Sequence, residues 1–561
     1  MCGILARLGS QPEEESIEFW LGKLKGRGPE ETCVKKMWNC SLGFNRLAIN
    51  DLSGGMQPMT FGSSVYICNG EIYNSADLAS RYNIECNSGS DCEVLGELWE
   101  KFANIGSGTA FFQSLDGVFA IVLVDTASNH VYVARDPYGV RPLFVGYKFG
   151  KAVTATEQTK TYVQSDNGSY LPIESLYFAS EMKGLLMCDH IEAFPPGHCA
   201  AYNMSTLGRT GFEPFHVVPW IKNPSYKCED EAATHLRVAL EDAVKKRMMT
   251  DRPVAALLSG GLDSSLIAAL VQKYRGPSDP PLKTFSIGFE GSEDLRCARL
   301  VADHIKSDHT EIVMTPEEFF DAVPEVIKDI ESYDITTVRA SVGNWLVSRE
   351  ISKRTDCKVI FNGDGSDEVL GGYLYFHGAP SDEAFEAESE RLLKDIHLFD
   401  VLRSDRSISS HGLEARTPFL DKQFVAVARS IPTAFRRPSQ DQCEKWILRK
   451  AFASSGLLPG EILWRKKEAF SDGVSGKDKS WFEICKEKAE KMLEGSVTPW
   501  KTRASTYKHL QPTTAEAYYY RWLYEKNYPR QFESVTVPYH WMPKWSNGAT
   551  DPSARTLSVY S

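Results

Sequence analysis

The chain has 561 residues, of which 42% are hydrophobic, 24% charged and 11% aromatic, and its net charge is −11. This composition is typical of a globular protein, and the length exceeds what one hydrophobic core supports, so we expect two or more domains. Lys and Arg are interspersed with acids, so no basic stripe indicates a nucleic-acid partner, and no apolar run is long enough to cross a membrane.

Thirteen cysteines are spread over the whole length, an odd number with no C-x-x-C pair. This pattern argues against a disulfide framework or a zinc site and favours a reducing compartment. The N-terminus also lacks a secretory signal, so we expect a cytoplasmic protein in which the Asn-x-Ser triplets at Asn39, Asn167 and Asn203 are chance matches.

Up to about residue 203 the chain shows many short β-rich segments, separated by Gly, Pro, Asn or Asp. A few helical segments such as "DCEVLGELWEKF" lie between them, which predicts an α+β domain with mostly antiparallel sheets. The polar stretch from Lys151 to Ser175 is predicted to be a surface insertion or an extended hairpin.

From about residue 230 apolar strands alternate with helices, as in "VAALLSGGLDSSLIAALVQKY", "LKTFSIGF" and "KVIFNGDGSDEVLGG". This alternation predicts an α/β domain with a parallel sheet covered on both faces. Ligands bind at the carboxyl ends of such strands, where both Gly-rich loops lie. The last third is helix-rich and ends in an irregular tail.

The segment "SGGLDSS" follows a predicted strand and begins a helix. Its adjacent glycines allow a ligand to approach the backbone, and the helix N-terminus offers N–H groups to an anion. Serine hydroxyls add donors, and an aspartate could hold a divalent cation. The alternative is an ordinary glycine turn, and the Walker pattern is absent. The residues of this candidate pyrophosphate loop are Ser259, Gly260, Gly261, Asp263 and Ser264.

Removal of Met1 would give Cys2 both a thiol and an α-amine that can act as its general base. Attack on an amide needs oxyanion donors, which Asn69 and Gly70 could supply. An amino-acid substrate needs a cation and an acid, and Arg46 and Asp91 fit these roles. Singly, each has another explanation: a hairpin turn at Asn69 and Gly70, a surface ion pair for Arg46 and a helix N-cap for Asp91.

The motifs "MCGI", "RGPE", "NRLAI", "NGEIYN", "SDCE" and "RDPYGVRPLF" resemble those of class II glutamine amidotransferases of the N-terminal nucleophile type. With "SGGLDSS", "HGLEARTPFLD" and "WRKKEAFSDG" downstream, nearly the whole chain resembles the family of glutamine-hydrolysing asparagine synthetases. The resemblance implies an N-terminal nucleophile glutaminase domain at 2–203 and an ATP pyrophosphatase domain at 204–561. Family members are often dimers, which leaves a homodimer open for this chain.

For the first domain, the resemblance implies that Cys2 attacks glutamine, giving a glutamyl thioester and ammonia. Asn69 and Gly70 would form the oxyanion hole, and the ammonia would pass inside the protein to a second site. The residues that would hold glutamine are Arg46, Asn69, Gly70, Glu71 and Asp91.

For the second domain, the resemblance implies that aspartate attacks the α-phosphorus of ATP, forming β-aspartyl-AMP and pyrophosphate, and that ammonia then displaces AMP. Asp263 and Asp367 match acids associated with Mg²⁺, and Lys467 matches a lysine that faces the phosphates. Beside the pyrophosphate loop, the residues matched to the nucleotide are Leu258, Ile287, Asn362 and Gly363.

The sequence departs from the family pattern at three places: "GRGPE" replaces His-Arg-Gly-Pro-Asp, Lys466 replaces a proline, and Asp364 replaces a glutamate important for forming the adenylate. Asp364 keeps the charge, but its reach is shorter by about 1.5 Å. A glutaminase-only protein or a nucleotide-binding regulator is therefore the alternative function. A β-lactam-forming synthetase is the other rival, but those relatives generally lack a working N-terminal cysteine.

Four further features have two interpretations each. His411 and Arg416 would face the nucleotide or pack a helix start, and Arg339 would bind aspartate or brace the interior. The tail "KWSNGATDPSARTL" is similar to the family's, and we predict a structural role for it.

Overall fold

The computed structural model contains two compact units, residues 1–217 with 528–535, and residues 218–527 with 536–561. The predicted boundary after residue 203 stays a prediction. The structure describes the whole chain except residues 10–15, 105, 107, 154–160, 165–169, 219–225, 277, 440–441, 469–472, 477–478, 496–497, 547, 549–550 and 554–561.

The first unit contains two sheets whose neighbouring strands are antiparallel, in the orders β11-β8-β10-β1-β3-β2 and β13-β12-β7-β6-β5-β4, with β9 added beside β10. The strands are β1 (Gly3–Gly9), β2 (Glu31–Met37), β3 (Cys40–Arg46), β4 (Met59–Phe61), β5 (Ser64–Ile72), β6 (Gly117–Asp125), β7 (His130–Arg135), β8 (Phe144–Phe149), β9 (Tyr162–Gln164), β10 (Tyr170–Ala179), β11 (His190–Ala193), β12 (His198–Asn203) and β13 (Glu213–Pro214).

The two sheets enclose one apolar core, and helices cover the outer face of the second sheet. Strand β6 is buried along its whole length, because Val122 faces the other sheet while Ile121 and Leu123 face the helices. This alternation follows from the two-residue period of a strand. The helices of this unit are Ile17–Gly22, Ser75–Tyr82, Val94–Ala103 and Gly108–Ser114.

The second unit is built on a parallel sheet in the order β16-β15-β14-β17-β18. Its strands are β14 (Val254–Leu257), β15 (Lys283–Gly288), β16 (Asp308–Val313), β17 (Val359–Phe361) and β18 (Glu414–Arg416). Because β14 and β17 are parallel neighbours, the two Gly-rich loops that follow them emerge at the same edge of the sheet. This edge is where open α/β sheets bind their ligands.

Many short helices surround this sheet and fill the last third of the chain. Several begin at a polar N-cap, such as Ser292, Asp334 and Thr514, whose side chains accept hydrogen bonds from the first-turn backbone. The helices after residue 218 are Glu229–Lys246, Leu262–Tyr274, Glu293–Ile305, Pro316–Asp321, Val323–Ile330, Ile335–Arg354, Ser366–Leu370, Asp382–Asp395, Asp400–Ser409, Lys422–Ser430, Thr433–Arg436, Trp446–Phe452, Gly460–Leu463, Trp481–Leu493, Trp500–Ala504, Ala515–Glu525 and Glu533–Thr536.

The predicted fold class is confirmed: an α+β unit with layered antiparallel sheets precedes an α/β unit with a parallel sheet. Of the polar stretch predicted as an insertion or hairpin, β9 pairs antiparallel with β10, and residues 154–160 and 165–169 lie outside the described part. Among the described helices, none combines the length and the apolar character needed to cross a membrane.

Candidate active sites

Cys2 directly precedes β1, and its half-buried side chain lies against the backbone of Leu47. The Leu47 N–H donates to Cys2 Sγ over 3.5 Å, and Sγ lies 3.7 Å from the Leu47 carbonyl oxygen. The Cys2 nitrogen donates to Asn69 Oδ1 over 2.9 Å. Met1 still precedes Cys2 in this chain, and its removal would convert that nitrogen into an α-amine beside the sulfur.

Asn69 is fully buried on β5, and its amide is oriented by the bond to Cys2. Within the described part of the chain, its Nδ2 is buried and has no hydrogen-bond acceptor. An unsatisfied buried donor costs about 1–3 kcal/mol, so its presence next to a thiol indicates a donor reserved for a ligand. Asn69 and Gly70 lie inside a strand, opposite Ala120 and Phe119, so the hairpin-turn interpretation is wrong.

The altered "GRGPE" segment supports the backbone around Cys2. The buried Arg27 donates from Nε to the Cys2 carbonyl over 3.0 Å and from Nη1 to Glu181 over 2.7 Å. Glu30, where the family has Asp, accepts from the Ala48 N–H over 2.8 Å. Glu30 therefore holds Ala48, the residue next to the Leu47 backbone that contacts the sulfur.

Glu71 and Asp91 are buried and are joined by a residue that the sequence analysis missed. Asn50 Nδ2 donates to Glu71 Oε2 over 2.7 Å and to Asp91 Oδ1 over 3.2 Å. The other oxygen of Asp91 accepts from the Ile72 N–H over 2.6 Å, at the end of β5. The N-cap of the helix Val94–Ala103 is Glu93, so Asp91 is not that helix's N-cap. Asn50 follows "NRLAI" in sequence, but nothing in that pattern indicates its bridging position.

Arg46 is 4% exposed, which excludes a plain surface ion pair. Its Nη2 donates to the carbonyl oxygens of Asp51, over 2.5 Å, and Gly54, while Glu31 lies 3.5 Å from Nη1. The Asp51 carboxylate accepts from the backbone of the same loop, including the Gly54 N–H over 2.7 Å, and these bonds lower its pKa. Arg46 is therefore held by the loop that contains Asp51 and Gly54, and its role toward glutamine stays a prediction.

In the second unit, the SGGLDSS loop forms a tight turn between β14 and the helix Leu262–Tyr274. Ser259 Oγ and Ser264 Oγ lie 2.9 Å apart, and the Ser259 N–H donates to Ser264 Oγ over 3.2 Å. Gly260 has φ +72°, and a Cβ there would lie 2.5 Å from the Ala298 nitrogen. This position therefore requires glycine for both its backbone angle and its close contact.

The loop after β17 packs directly on the SGGLDSS loop. A Cβ at Gly363 would lie 2.7 Å from the Ser264 nitrogen, so only glycine permits this approach. Ser366 Oγ donates to Asp263 Oδ1 over 2.8 Å, which links the starts of the two helices. Asn362 donates to Ser404 Oγ over 2.7 Å and accepts from the Asp364 N–H over 3.3 Å.

Two aspartates and two lysines form an ion-pair cluster between these loops. Lys445 Nζ lies 2.5 Å from Asp263 Oδ2 and 2.6 Å from Asp367 Oδ1, and Lys467 Nζ lies 2.5 Å from Asp367 Oδ2. Burial alone would raise the pKa of Asp367, but the two lysines hold it well below its usual range. Burial would lower the pKa of Lys467, but Asp367 and Asp263 raise it, so both groups stay charged at neutral pH.

Lys445 is the residue that the sequence analysis missed in this cluster. It is 1% exposed and has φ +55°, directly before the helix Trp446–Phe452. Its partners Asp263 and Asp367 lie in different segments, and no local pattern in "DQCEKW" indicates the contact.

Asp364 lies beside a second charged group. Arg403 pairs closely with Asp400, and its Nη2 lies 3.6 Å from Asp364 Oδ1. Burial, and then the charge of Asp400, raise the pKa of Asp364 to about 6 against the opposing charge of Arg403. In the short helix Ser366–Leu370 that follows Asp364, Glu368 accepts a hydrogen bond from the Tyr373 hydroxyl.

A cavity of about 250 Å³ lies at this edge of the sheet. Its lining brings together nearly all the residues predicted for the nucleotide, with Gly260 outside it. The predicted residues in the lining are Leu258, Ser259, Gly261, Asp263, Ser264, Ile287, Asn362, Gly363, Asp364, Asp367 and Lys467.

The three residues with two interpretations are all engaged within the protein. His411 packs edge-on against Trp345, with ring centroids 4.6 Å apart. Arg416 donates to Glu414 over 2.6 Å, inside β18. Arg339 lines the cavity, but both of its faces are bound by carboxylates of other segments, which favours the bracing interpretation.

Comparison with known proteins agrees with this arrangement. The family model "Asparagine synthase" matches residues 235–385 and 378–542, and "Glutamine amidotransferase domain" matches residues 1–212. The chain is 43% identical over 594 residues to "Asparagine synthetase [glutamine-hydrolyzing]" of Gallus gallus, covering 100% of this chain and 99% of the relative. The chain belongs to the asparagine synthase family.

The relative of the same name from Homo sapiens is 42% identical over 591 residues, again covering 100% and 99% of the two chains. Among solved structures, a glutamine phosphoribosylpyrophosphate amidotransferase from B. subtilis, complexed with ADP and GMP, has a TM-score of 0.30 at 17% identity. That alignment covers 51% of this chain and 76% of the other. Two of the residues that differ from the family pattern, Lys466 and Asp364, line the cavity.

Proposed function

We propose that this protein makes asparagine from aspartate, ATP and glutamine, with the first unit releasing ammonia and the second unit consuming it. One observation carries the proposal: the same chain contains a thiol beside an amide donor that has no acceptor among the described residues, and a cavity lined by a pyrophosphate-type loop and two lysines, of which Lys445 is buried. The full-length identity to glutamine-hydrolysing asparagine synthetases supports the same function.

In the first reaction, the amine created by removal of Met1 would take the proton from Cys2 Sγ, and the thiolate would attack the side-chain amide carbon of glutamine. Negative charge then develops on the amide oxygen, where the buried Asn69 Nδ2 is available to donate. Gly70 would supply the second donor. Ammonia leaves with the proton from the amine, and water hydrolyses the thioester to glutamate.

The substrate's own charged groups would be held by the buried acids and Arg46. A carboxylate suits the Arg46 guanidinium, which has donors beyond those bound to Asp51 and Gly54. An ammonium group suits Asp91 and Glu71, whose positions Asn50 fixes. These assignments extend the sequence prediction.

In the second reaction, the cavity would hold ATP with its adenosine between Leu258 and Ile287 and its phosphates at the SGGLDSS loop. The aspartate side-chain carboxylate attacks the α-phosphorus, and pyrophosphate leaves. Lys467 and Lys445 lie where they would balance the charge that builds up on this leaving group. Ammonia then attacks the acyl carbon of β-aspartyl-AMP, and AMP leaves.

Mg²⁺ is part of this proposal because its preferred ligands are present. Mg²⁺ is commonly bound by one or two carboxylates together with substrate phosphates, and Asp263 and Asp367 supply two carboxylates beside the phosphate loop. Asp367 Oδ1 is buried and, among the described residues, receives no well-aligned hydrogen bond although Lys445 Nζ is close. Bound there, the ion would reduce the charge repulsion between phosphate and carboxylate.

A cytoplasmic location is supported by the thirteen cysteines, all of which lie in the described part of the chain and none of which forms a disulfide. A homodimer is proposed from the family resemblance alone, and sedimentation of the purified protein measures it directly.

The test measures pyrophosphate, AMP and asparagine together in purified protein given ATP, Mg²⁺, aspartate and ammonium without glutamine. Equal amounts of all three products would support the synthetase. Glutaminase activity without pyrophosphate release would instead favour the glutaminase-only or regulatory alternative. In a matched variant, Cys2→Ala should lose glutamine-driven synthesis and keep the ammonia-driven reaction.

A further inference from the structure

A short part of the C-terminal tail lies against the synthetase cavity. Pro552 and Ser553 line the cavity, as Arg339 does. Asp551 and Ser553 are buried, and the Ser553 N–H donates to Asp551 Oδ1 over 2.9 Å. Residues 551–553, here called the tail segment, are therefore a packed part of the cavity wall.

An ion-pair cluster fastens the tail segment. Arg339 Nη1 and Nη2 donate to the two oxygens of Asp551 over 2.9 and 3.1 Å, and Lys486 Nζ lies 2.7 Å from Asp551 Oδ2. On its other side, Arg339 donates to Glu516 over 2.8 and 2.6 Å. Two cations and two anions balance, so Arg339 is engaged in holding the tail segment rather than free for a substrate carboxylate.

The cluster brings three helices to one place. Arg339 belongs to Ile335–Arg354, Lys486 to Trp481–Leu493 and Glu516 to Ala515–Glu525. Burial alone would raise the pKa of Asp551, but the hydrogen bonds and the charge of Arg339 lower this pKa to about 2. The tail segment therefore stays fastened throughout the neutral pH range.

The cavity wall matters to the proposed reaction because its acyl-adenylate intermediate can react with water. In β-aspartyl-AMP, the acyl carbon can be attacked by water as well as by ammonia. Attack by water breaks the bond between that carbon and the phosphate oxygen, releases AMP and regenerates aspartate, so one ATP is spent without product. A closed site prevents such side reactions.

We propose that the tail segment, fastened through Asp551 and Arg339, forms the wall that keeps water from the acyl-adenylate, so that Asp551 is a positioning residue for coupling ATP use to asparagine formation. This inference rests on the proposed function and goes beyond the structural role predicted for the tail from sequence.

The experiment compares Asp551→Asn with the unaltered protein in the ammonia-driven reaction and measures the ratio of pyrophosphate to asparagine. Asn has the same size but cannot form the ion pair. The ratio of pyrophosphate to asparagine should therefore rise from about one to about three or more, while pyrophosphate release continues. Asp551→Glu, which retains the charge, should restore part of the coupling. The glutaminase rate should not change.

Asp382→Asn is the matched control, since Asp382 pairs with Arg437 over 2.8 Å on the surface and does not line the cavity. Its ratio should stay at that of the unaltered protein. If Asp551→Asn does not fold, Lys486→Gln removes the exposed partner of the same carboxylate and should raise the ratio in the same direction.

Three results would overturn the inference. A ratio of one with both products reduced equally would mean a merely structural tail. Faster asparagine formation, or a lower KM for aspartate, would mean that the tail segment inhibits the site. An unchanged ratio in Asp551→Asn and Lys486→Gln would mean that the wall does not control water. Absence of pyrophosphate from the unaltered protein would instead contradict the proposed function.

Discussion

Replacing Lys445 by methionine removes the cation that joins Asp263 and Asp367. Its Nζ lies 2.5 and 2.6 Å from the two carboxylates, and the side chain is 1% exposed, so both ion pairs are buried. Lys467 remains, at 2.5 Å from Asp367 and 3.9 Å from Asp263. We therefore expect Asp263 to lose its closest counter-ion and the proposed phosphate site to lose one of two positive charges.

The size of the effect follows from this burial. Removing one partner of a buried ion pair typically costs about 3–5 kcal/mol, much of it from the charge left unpaired. Removing one preorganised donor from a developing anion typically costs about 10²–10³ in kcat, or about 2.7–4 kcal/mol. Lys445→Met should accordingly slow pyrophosphate release about a hundredfold or more and lower the unfolding temperature of the second unit.

The assay is ammonia-driven pyrophosphate release, with glutaminase activity as a check that the first unit is folded. Lys450→Met is the control, because Lys450 lies in the helix that begins directly after Lys445 but forms partly exposed pairs with Glu229 and Asp230 at 2.8 and 2.9 Å. Such pairs contribute about 0–1 kcal/mol, so its activity should be unchanged. Pyrophosphate release by Lys445→Met within about threefold of the unaltered rate would refute the assignment.

Asn69→Asp preserves shape but removes the Nδ2 donor, so glutaminase kcat should fall about 10²–10³-fold while ammonia-driven synthesis is unchanged; loss of both would contradict separate sites. Asp364→Ala should abolish adenylate formation and spare glutaminase, whereas Asp364→Glu should retain it, as measured by pyrophosphate release; full synthetase activity of the alanine variant would disprove the role. Burial and the charges of Arg349 and Lys353 lower the pKa of His411 to about 4, below its unfolded value near 6.5. The contribution of His411 to stability is therefore present above pH 6.5, and it decreases by up to about 3 kcal/mol as the pH falls toward 4. His411→Gln should flatten the dependence of the unfolding temperature on pH between 6.5 and 4.5, and identical pH profiles would show that His411 does not contribute.

The sequence predicted the elements that carry strong apolar patterns. The three strands quoted for the parallel sheet are present as β14, β15 and β17, because each is short, apolar and followed by a helix. Among the strands that the pattern missed are β2, which is exposed at a sheet edge and contains two lysines, and β18, which has only three residues between a turn and a short helix. Both form because a neighbouring strand offers hydrogen bonds: β2 pairs with β3, which follows it directly, and β18 pairs with β17, which is distant in sequence.

The same distinction applies to the candidate sites. Most of the predicted nucleotide residues are adjacent to one another in two loops, so each loop's local pattern specifies them together, whereas Ile287 and Lys467 lie elsewhere and were predicted from the family resemblance. Lys445, Asn50 and Asp551 have no such pattern around them, since their partners are contributed by other elements. The partner of Asp551 is 212 positions away, and only the folded chain shows that a tail predicted to be irregular reaches a buried arginine.

Asp364 shows how far the departure from the family can be argued from structure. A carboxyl with a pKa of about 6 is largely ionised at pH 7.5, so Asp364 keeps the charge of the glutamate that it replaces. Arg403 is bound more closely by Asp400 than by Asp364, at 3.6 Å, so the shorter side chain is not tightly fixed by that pair. Asp364 therefore preserves the charge of the glutamate and reduces only the reach of the side chain. A displacement of about 1 Å can cost about a hundredfold in rate, so any deficit in adenylate formation should have a geometric cause.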